Sequence, residues 1–248
     1  MNQLDNQVVI VTGGAAGIGA ALTTVLAQRG ASIVAVDINE QAGAAIAQSN
    51  PEQIVFLKGD VSSEAVAKQA VELAISRFGK LTGLVNNAHA SRQKPLMELT
   101  EADWALSFDT GFNATLYFMK AAYSELAKFG GSIVNFGSGA ALNGLEQQAS
   151  YAAAKEAIRG LSRVAANEWA KDNIRVNVVS PKALTAGVAQ WKAEHPEQYA
   201  ASASQVPLQR FGDPEKDIAP VVAFLLSDES CYMTGQTLMA DGGTIQLR

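Results

Sequence analysis

Short unbroken apolar runs alternate along the chain with longer stretches in which apolar positions recur every three or four residues. The short runs cover residues 8–11, 32–36, 53–57, 81–86, 132–136, 174–179 and 236–239. They are rich in Val, Ile and Leu, too short for helices, and bounded by glycine or polar residues, which predicts buried strands. The longer stretches predict helices over 16–30, 42–49, 62–78, 100–109, 111–129, 150–171 and 214–227. Ser62 is the expected cap of the third helix and Gly79 its end.

Strands that lack a polar face belong in a parallel sheet covered on both sides by helices. The expected class is therefore α/β, a doubly wound parallel sheet of about seven strands. A barrel of eight strand–helix units is the rival at this length. It is disfavoured because only seven strands are found and the glycine cluster sits at the first strand-to-helix turn. No linker-like segment and no repeat divides the chain, so residues 1–248 read as a single domain. The stretch 183–213 is long for a compact domain and is expected to be a lid over a substrate site, split by Pro196 into two short helices.

Composition narrows the function. With 48% apolar and 17% charged residues the chain is no disordered protein. A net charge of −5 without a run of Lys or Arg argues against a nucleic-acid or anionic-membrane partner. Cys231 is the single cysteine, which excludes an internal disulfide framework, and with two histidines no metal site is expected. The first residues carry no basic start, and the longest uncharged stretch, 129–145, holds five glycines. The expected location is the cytoplasm.

The first strand runs into Thr12-Gly13-Gly14-Ala15-Ala16-Gly17-Ile18-Gly19, which opens a helix. Gly13 and Gly17 let the backbone approach a pyrophosphate, and Gly19 lets the helix pack on the strand. The helix N-terminus adds free N–H groups and the positive end of its dipole. Asp37 ends the second strand, 18 residues beyond Gly19 (37 − 19), close to the spacing of an acid that binds a ribose diol. Its charge would repel a 2′-phosphate and no Lys or Arg follows it directly. The cofactor expected on this ground is NAD rather than NADP.

Tyr151 and Lys155 stand at i and i+4 of a helix and share a face. An ammonium beside a phenol favours the phenolate, and is expected to bring Tyr151 toward the range useful for acid–base catalysis. Asn86-Asn87-Ala88 follows the fourth strand, Ser138 the fifth, and Asp60-Val61 the third. With the glycine turn, Tyr151-Ala152-Ala153-Ala154-Lys155 and the Asp241-Gly242-Gly243 tail, these segments resemble the short-chain dehydrogenase/reductase family over nearly the whole chain. The resemblance implies a Rossmann-like sheet ordered 3-2-1-4-5-6-7, commonly in a homotetramer or homodimer. It implies an NAD-dependent oxidoreductase interconverting a secondary alcohol and a ketone, with Ser138, Tyr151 and Lys155 catalytic. Cofactor contacts carried over are Gly13, Gly17, Ile18, Gly19, Asp37, Asp60, Val61, Asn87, Tyr151, Lys155 and Leu184. Candidate substrate contacts are His89, Arg92, Ser138, Gln147 and Trp191. An enoyl reductase is disfavoured, because that branch spaces its Tyr and Lys further apart.

The sequence departs from the family pattern at four places. His89 stands where the Asn-Asn-Ala motif usually ends in glycine. Gly111, counted from Trp104, stands where the catalytic-tetrad asparagine is expected. Lys182 follows Pro181 in place of glycine, and Ala186 replaces a threonine, with Thr185 one place early. These departures sustain an alternative reading, a catalytically weak nucleotide-binding homologue acting as a sensor or assembly subunit. If the tetrad geometry survives, Gly111→Asn is expected to preserve or raise turnover.

Overall fold

A computed structural model describes residues 3–246, the side chain of Ala186 excepted. Seven strands form one all-parallel sheet: β1 (Val8–Thr12), β2 (Ser32–Asp37), β3 (Ile54–Lys58), β4 (Gly83–Asn86), β5 (Gly131–Phe136), β6 (Ile174–Pro181) and β7 (Thr237–Ala240). Their order is β3-β2-β1-β4-β5-β6-β7, as the resemblance implied. The helices are α1 (Gly17–Gln28), α2 (Glu40–Ser49), α3 (Glu64–Phe78), α4 (Glu101–Ser107), α5 (Ala114–Phe129), α6 (Gly139–Leu142), α7 (Ala149–Trp169), α8 (Ala186–Glu194), α9 (Pro196–Ser204) and α10 (Ala219–Leu226).

The central apolar runs read as strands because both of their faces are buried. In β1, Val9 and Val11 join Leu22 and Leu26 of α1 and Val222 and Leu225 of α10 in one core. Val8 and Ile10 join Ala70 of α3, Phe118 and Leu126 of α5 and Ala165 of α7 in the other. Side chains such as Ile10, Leu22 and Phe118 are fully excluded from solvent, and each contributes roughly 1.5–3 kcal/mol.

Two local expectations fail for identifiable reasons. Ser62 does not cap α3: its N–H and hydroxyl both donate to Asp60 Oδ1, at 2.9 and 2.8 Å, and Ser63 holds the N-cap position. Nor does the chain break at residue 110. A π-helical turn, Phe108–Asn113, carries α4 directly into α5, absorbing the glycine that reads in sequence as a boundary. Upstream, Thr100 and Asp103 close a reciprocal capping box at the start of α4, and Asp103 also holds Lys94 at 2.7 Å.

A parallel sheet places all strand C-termini on one edge. The segments that follow β1, β4, β5 and β6 therefore meet there, around the point where the strand order reverses between β1 and β4.

Candidate active site

The glycine turn is clamped from the side by the chain after β4. Thr12 Oγ1 accepts the N–H groups of Asn87 (3.0 Å) and Ala88 (3.1 Å), and Asn87 Nδ2 donates to Thr12 O at 3.0 Å. Thr12 opens the glycine motif, which by itself gives it no role. Its signal is a hydroxyl closing an otherwise apolar strand. Gly13 and Gly17 have φ of +63° and +54°, a region that other residues rarely adopt. A Cβ on Gly19 would lie 1.9 Å from Gly13 O, so only glycine permits α1 to start so close to the turn. Around Gly17 nothing lies within 4 Å of a Cβ position. Asp37 accepts from Ala15 N at 3.1 Å and Asn39 N at 3.0 Å, tying the end of β2 to the same turn. Open backbone, a helix N-terminus and a carboxylate at the next strand end form a donor and acceptor set that suits a dinucleotide.

The other cofactor positions are more varied. Ile18 is half-buried and packs on the core below the turn. Asp60 is exposed and Val61 buried at the end of β3. Leu184 donates its N–H to Gly212 O at 2.7 Å, which leaves its carbonyl for a carboxamide.

Ser138 caps α6, Tyr151 lies in the first turn of α7 and Lys155 one turn further. Lys155 is 3% exposed, and its Nζ donates to Phe136 O at 2.9 Å and lies 5.7 Å from the Tyr151 ring centroid. Ser138 is 6% exposed. The electrostatics depart from expectation. Burial raises the Tyr151 phenol above its usual range, against a hydrogen bond with Ser138 that lowers it. Burial also brings Lys155 from 10.5 down to about 7. Desolvation disfavours both charged forms, so the ammonium that was to acidify the phenol is itself only partly present at neutral pH. Tyr151 keeps its proton, which is the form that protonates a carbonyl oxygen.

A cavity of about 900 Å³ opens from Ser138 toward the segment after β6. Gln147 and Trp191 line it; Arg92 is exposed and outside it, and its neighbour Gln93 takes part instead. Pro196 starts α9 after α8, and the two helices are pinned by Trp191, Tyr199 and Phe211, with ring centroids 6.0 and 5.2 Å apart. Phe211, Gln148 and Gln205, absent from the motif-based set, also line the cavity.

The four departures each have a place. Thr185 Oγ1 caps α8 by accepting Val188 N, and the side chain of Ala186 lies outside the described part. Lys182 Nζ lies 4.8 Å from the Phe211 ring centroid at the cavity wall. His89 is half-buried, with Nε2 and Ser107 Oγ 2.9 Å apart and its ring 4.8 Å from that of Tyr151. Gly111 is buried in the π turn directly beneath that ring: a Cβ there would fall 2.8 Å from His89 Cε1 and 3.0 Å from Nδ1. Gly111→Asn is therefore no longer expected to preserve turnover, because the new side chain needs the space the imidazole holds.

The fold and the glycine turn define a nucleotide-binding α/β protein of the Rossmann type, and comparison with known proteins agrees. A family model described as enoyl-(acyl carrier protein) reductase matches residues 13–244. The 12alpha-hydroxysteroid dehydrogenase of Clostridium sp. (strain ATCC 29733 / VPI C48-50) is 43% identical over 254 residues, covering 98% of each chain. The 2-(S)-hydroxypropyl-CoM dehydrogenase 3 of Xanthobacter autotrophicus is 36% identical over 250 residues, again 98% of each. A crystal structure of a short-chain dehydrogenase/reductase, glucose/ribitol dehydrogenase, from Brucella melitensis superposes with a TM-score of 0.92, at 32% identity over 99% of both chains. The chain belongs to the short-chain dehydrogenase/reductase family. It is an oxidoreductase of CH–OH groups that works with a nicotinamide cofactor, and none of these relatives is named as a sensor.

Proposed function

We propose that this protein is an NAD-dependent dehydrogenase that interconverts a bulky alicyclic secondary alcohol and its ketone. The observation that carries the reading is the meeting of Ser138, Tyr151 and Lys155 after β5 and at the start of α7, with Ser138 itself lining the large cavity. Ser138 holds the substrate oxygen. Tyr151 delivers a proton to it in reduction and removes one in oxidation. Lys155, anchored on Phe136 O, sets the phenol's position and its proton supply. A bound nicotinamide dinucleotide supplies or receives the hydride. NAD is preferred because Asp37 disfavours a 2′-phosphate. Lys58, opposite Asp37 in the sheet register, is committed to Glu40 at 2.7 Å.

The substrate class rests on the cavity and on one relative. Leu145, Val188, Trp191, Phe211 and Ile245 give it an apolar wall, while glutamines supply polar contacts. A volume of about 900 Å³ accommodates a fused-ring substrate, and the relative at 43% identity is named for a hydroxysteroid. Residues 183–213 act as the lid of a single domain. A homotetramer or homodimer follows the family, and exposed apolar side chains such as Val164 on α7 are available to a subunit contact. Among the described residues no helix is long and apolar enough to cross a membrane, which accords with a cytoplasmic enzyme.

The test is the appearance of reduced-nicotinamide absorbance with NAD across hydroxysteroids, cyclic diols and polyols. Tyr151→Phe is expected to abolish turnover while leaving NAD binding intact. Saturable NAD binding with no turnover on any substrate would overturn the reading, and a severalfold preference for NADP would overturn the role given to Asp37.

A further inference from the structure

Two departures from the family pattern, at 89 and 111, lie 22 residues apart in sequence (111 − 89) and adjacent in space, a Cβ on Gly111 falling 2.8 Å from the His89 ring. The loop after β4 and the π turn are also stitched together beside them. Ala90 N donates to Thr110 Oγ1 at 2.9 Å, and that hydroxyl shares its one proton between Leu106 O at 2.7 Å and Ala90 O at 3.1 Å. The imidazole thus has a built seat: Gly111 beneath it, Ser107 Oγ at Nε2, and the Tyr151 ring against it. A larger residue at 111 would close the seat. A smaller one at 89 would leave it empty beside the group that transfers the proton.

The chemistry of the ring speaks against mere filling. Nδ1 is buried and finds no hydrogen-bond partner among the described residues. An unsatisfied buried nitrogen is unfavourable, and an aromatic hydrocarbon would fill the same space without one. Burial, with a smaller contribution from the Lys155 charge, holds His89 down at about 3, so the imidazole is neutral throughout the working range. With Nε2 committed to Ser107, Nδ1 carries the complementary donor or acceptor role of a neutral imidazole.

We propose that His89 is a positioning residue for Tyr151 and that Gly111 is its obligate partner. The ring packs against that of Tyr151, Nε2 anchors it on Ser107, and the glycine leaves the room for it. The inference rests on Tyr151 being the proton carrier of the proposed dehydrogenase. It predicts coupling: Gly111 matters only while the imidazole is there to be seated.

The experiment is a double-mutant cycle on steady-state turnover, with NAD binding followed by fluorescence titration and folding by circular dichroism. His89→Ala and Gly111→Ala are each expected to lower kcat at least about tenfold with NAD affinity unchanged. The double variant H89A/G111A should be no slower than His89→Ala alone. His89→Phe keeps a ring on Tyr151 but no nitrogen, and should remain slow, whereas His89→Gln, which retains a contact to Ser107, should recover part of the rate. Wild-type kcat in His89→Phe, or single losses that multiply in the double variant, would overturn the proposal. Should Gly111→Ala fail to fold, the Phe and Gln variants decide it. Tyr151→Phe separates the two levels of argument. If it is inactive while His89→Phe is fully active, only the positioning role falls; if it turns over normally, the dehydrogenase mechanism falls with it.

Discussion

Lys155 is the place where catalysis and stability pull in opposite directions, and replacing it by methionine makes the conflict measurable. The ammonium sits in a site 3% exposed with one carbonyl partner, Phe136 O at 2.9 Å. Burial lowers its titration from 10.5 to about 7. In the unfolded chain it holds its proton up to about 10.5; in the folded protein it releases it from about 7 upward. Between those values the unfolded state binds more protons, so this group makes stability rise with pH across that window. The span is 3.5 units (10.5 − 7), or close to 5 kcal/mol at about 1.36 kcal/mol per unit. Roughly 4 kcal/mol of that penalty is still present at pH 7, and about 1 kcal/mol at pH 10.

Lys155→Met removes the titration and also the hydrogen bond to Phe136 O, which costs about 1 kcal/mol at every pH. The variant is therefore expected to be about 3 kcal/mol more stable than the wild type at pH 7 and no more stable at pH 10. Urea unfolding of both proteins at the two pH values reads the difference directly, and other titrating groups cancel in the comparison. Turnover should fall by at least about a hundredfold. A stability difference that is the same at both pH values would refute the argument, because it would mean that Lys155 is charged in the folded protein.

Gly19→Ala places a Cβ 1.9 Å from Gly13 O and 2.7 Å from Asn87 Nδ2. A backbone oxygen in a clamped turn has nowhere to move, so a loss of about 1–3 kcal/mol and of nicotinamide-dinucleotide binding is expected; a dissociation constant within twofold of wild type in a fluorescence titration would contradict it. Thr100→Ala removes half of the capping box at α4, remote from the chemistry, and should cost about 1 kcal/mol in urea unfolding with kcat unchanged.

The sheet was legible because its central strands β1, β2, β4, β5 and β6 are apolar runs buried on both sides, and the partly buried edge strands β3 and β7 keep the same apolar character. Element ends were less so. Ser62 was expected to cap α3, but Asp60 takes its N–H and hydroxyl and Ser63 stands at the N-cap position, a difference no propensity encodes. The π turn at Phe108–Asn113 was unreadable for a related reason: an inserted residue in a helix looks like a boundary when only local pattern is available. Within the candidate site, the Tyr151–Lys155 pair was read from its i,i+4 spacing and Ser138 from the family resemblance, and the structure brings the three together. Their titration was not legible, since it depends on how deeply α7 and α6 bury them, and burial reversed the sign expected for Tyr151.

The departures show why single positions mislead. Taken alone, Gly111 is a missing side chain that asparagine should restore, and His89 is a stray titratable group. Side by side in space they are one arrangement, because the volume absent at 111 is the volume occupied at 89. A residue-by-residue comparison with a family pattern counts such a pair as two defects and therefore leans toward an impaired enzyme. Packing makes it a single substitution distributed over two elements, anchored by Ser107 on α4 and pressed on Tyr151 of α7. The reading as a working dehydrogenase gains from this, since a site decaying toward a sensor has no reason to keep an imidazole wedged against its phenol with one nitrogen unsatisfied.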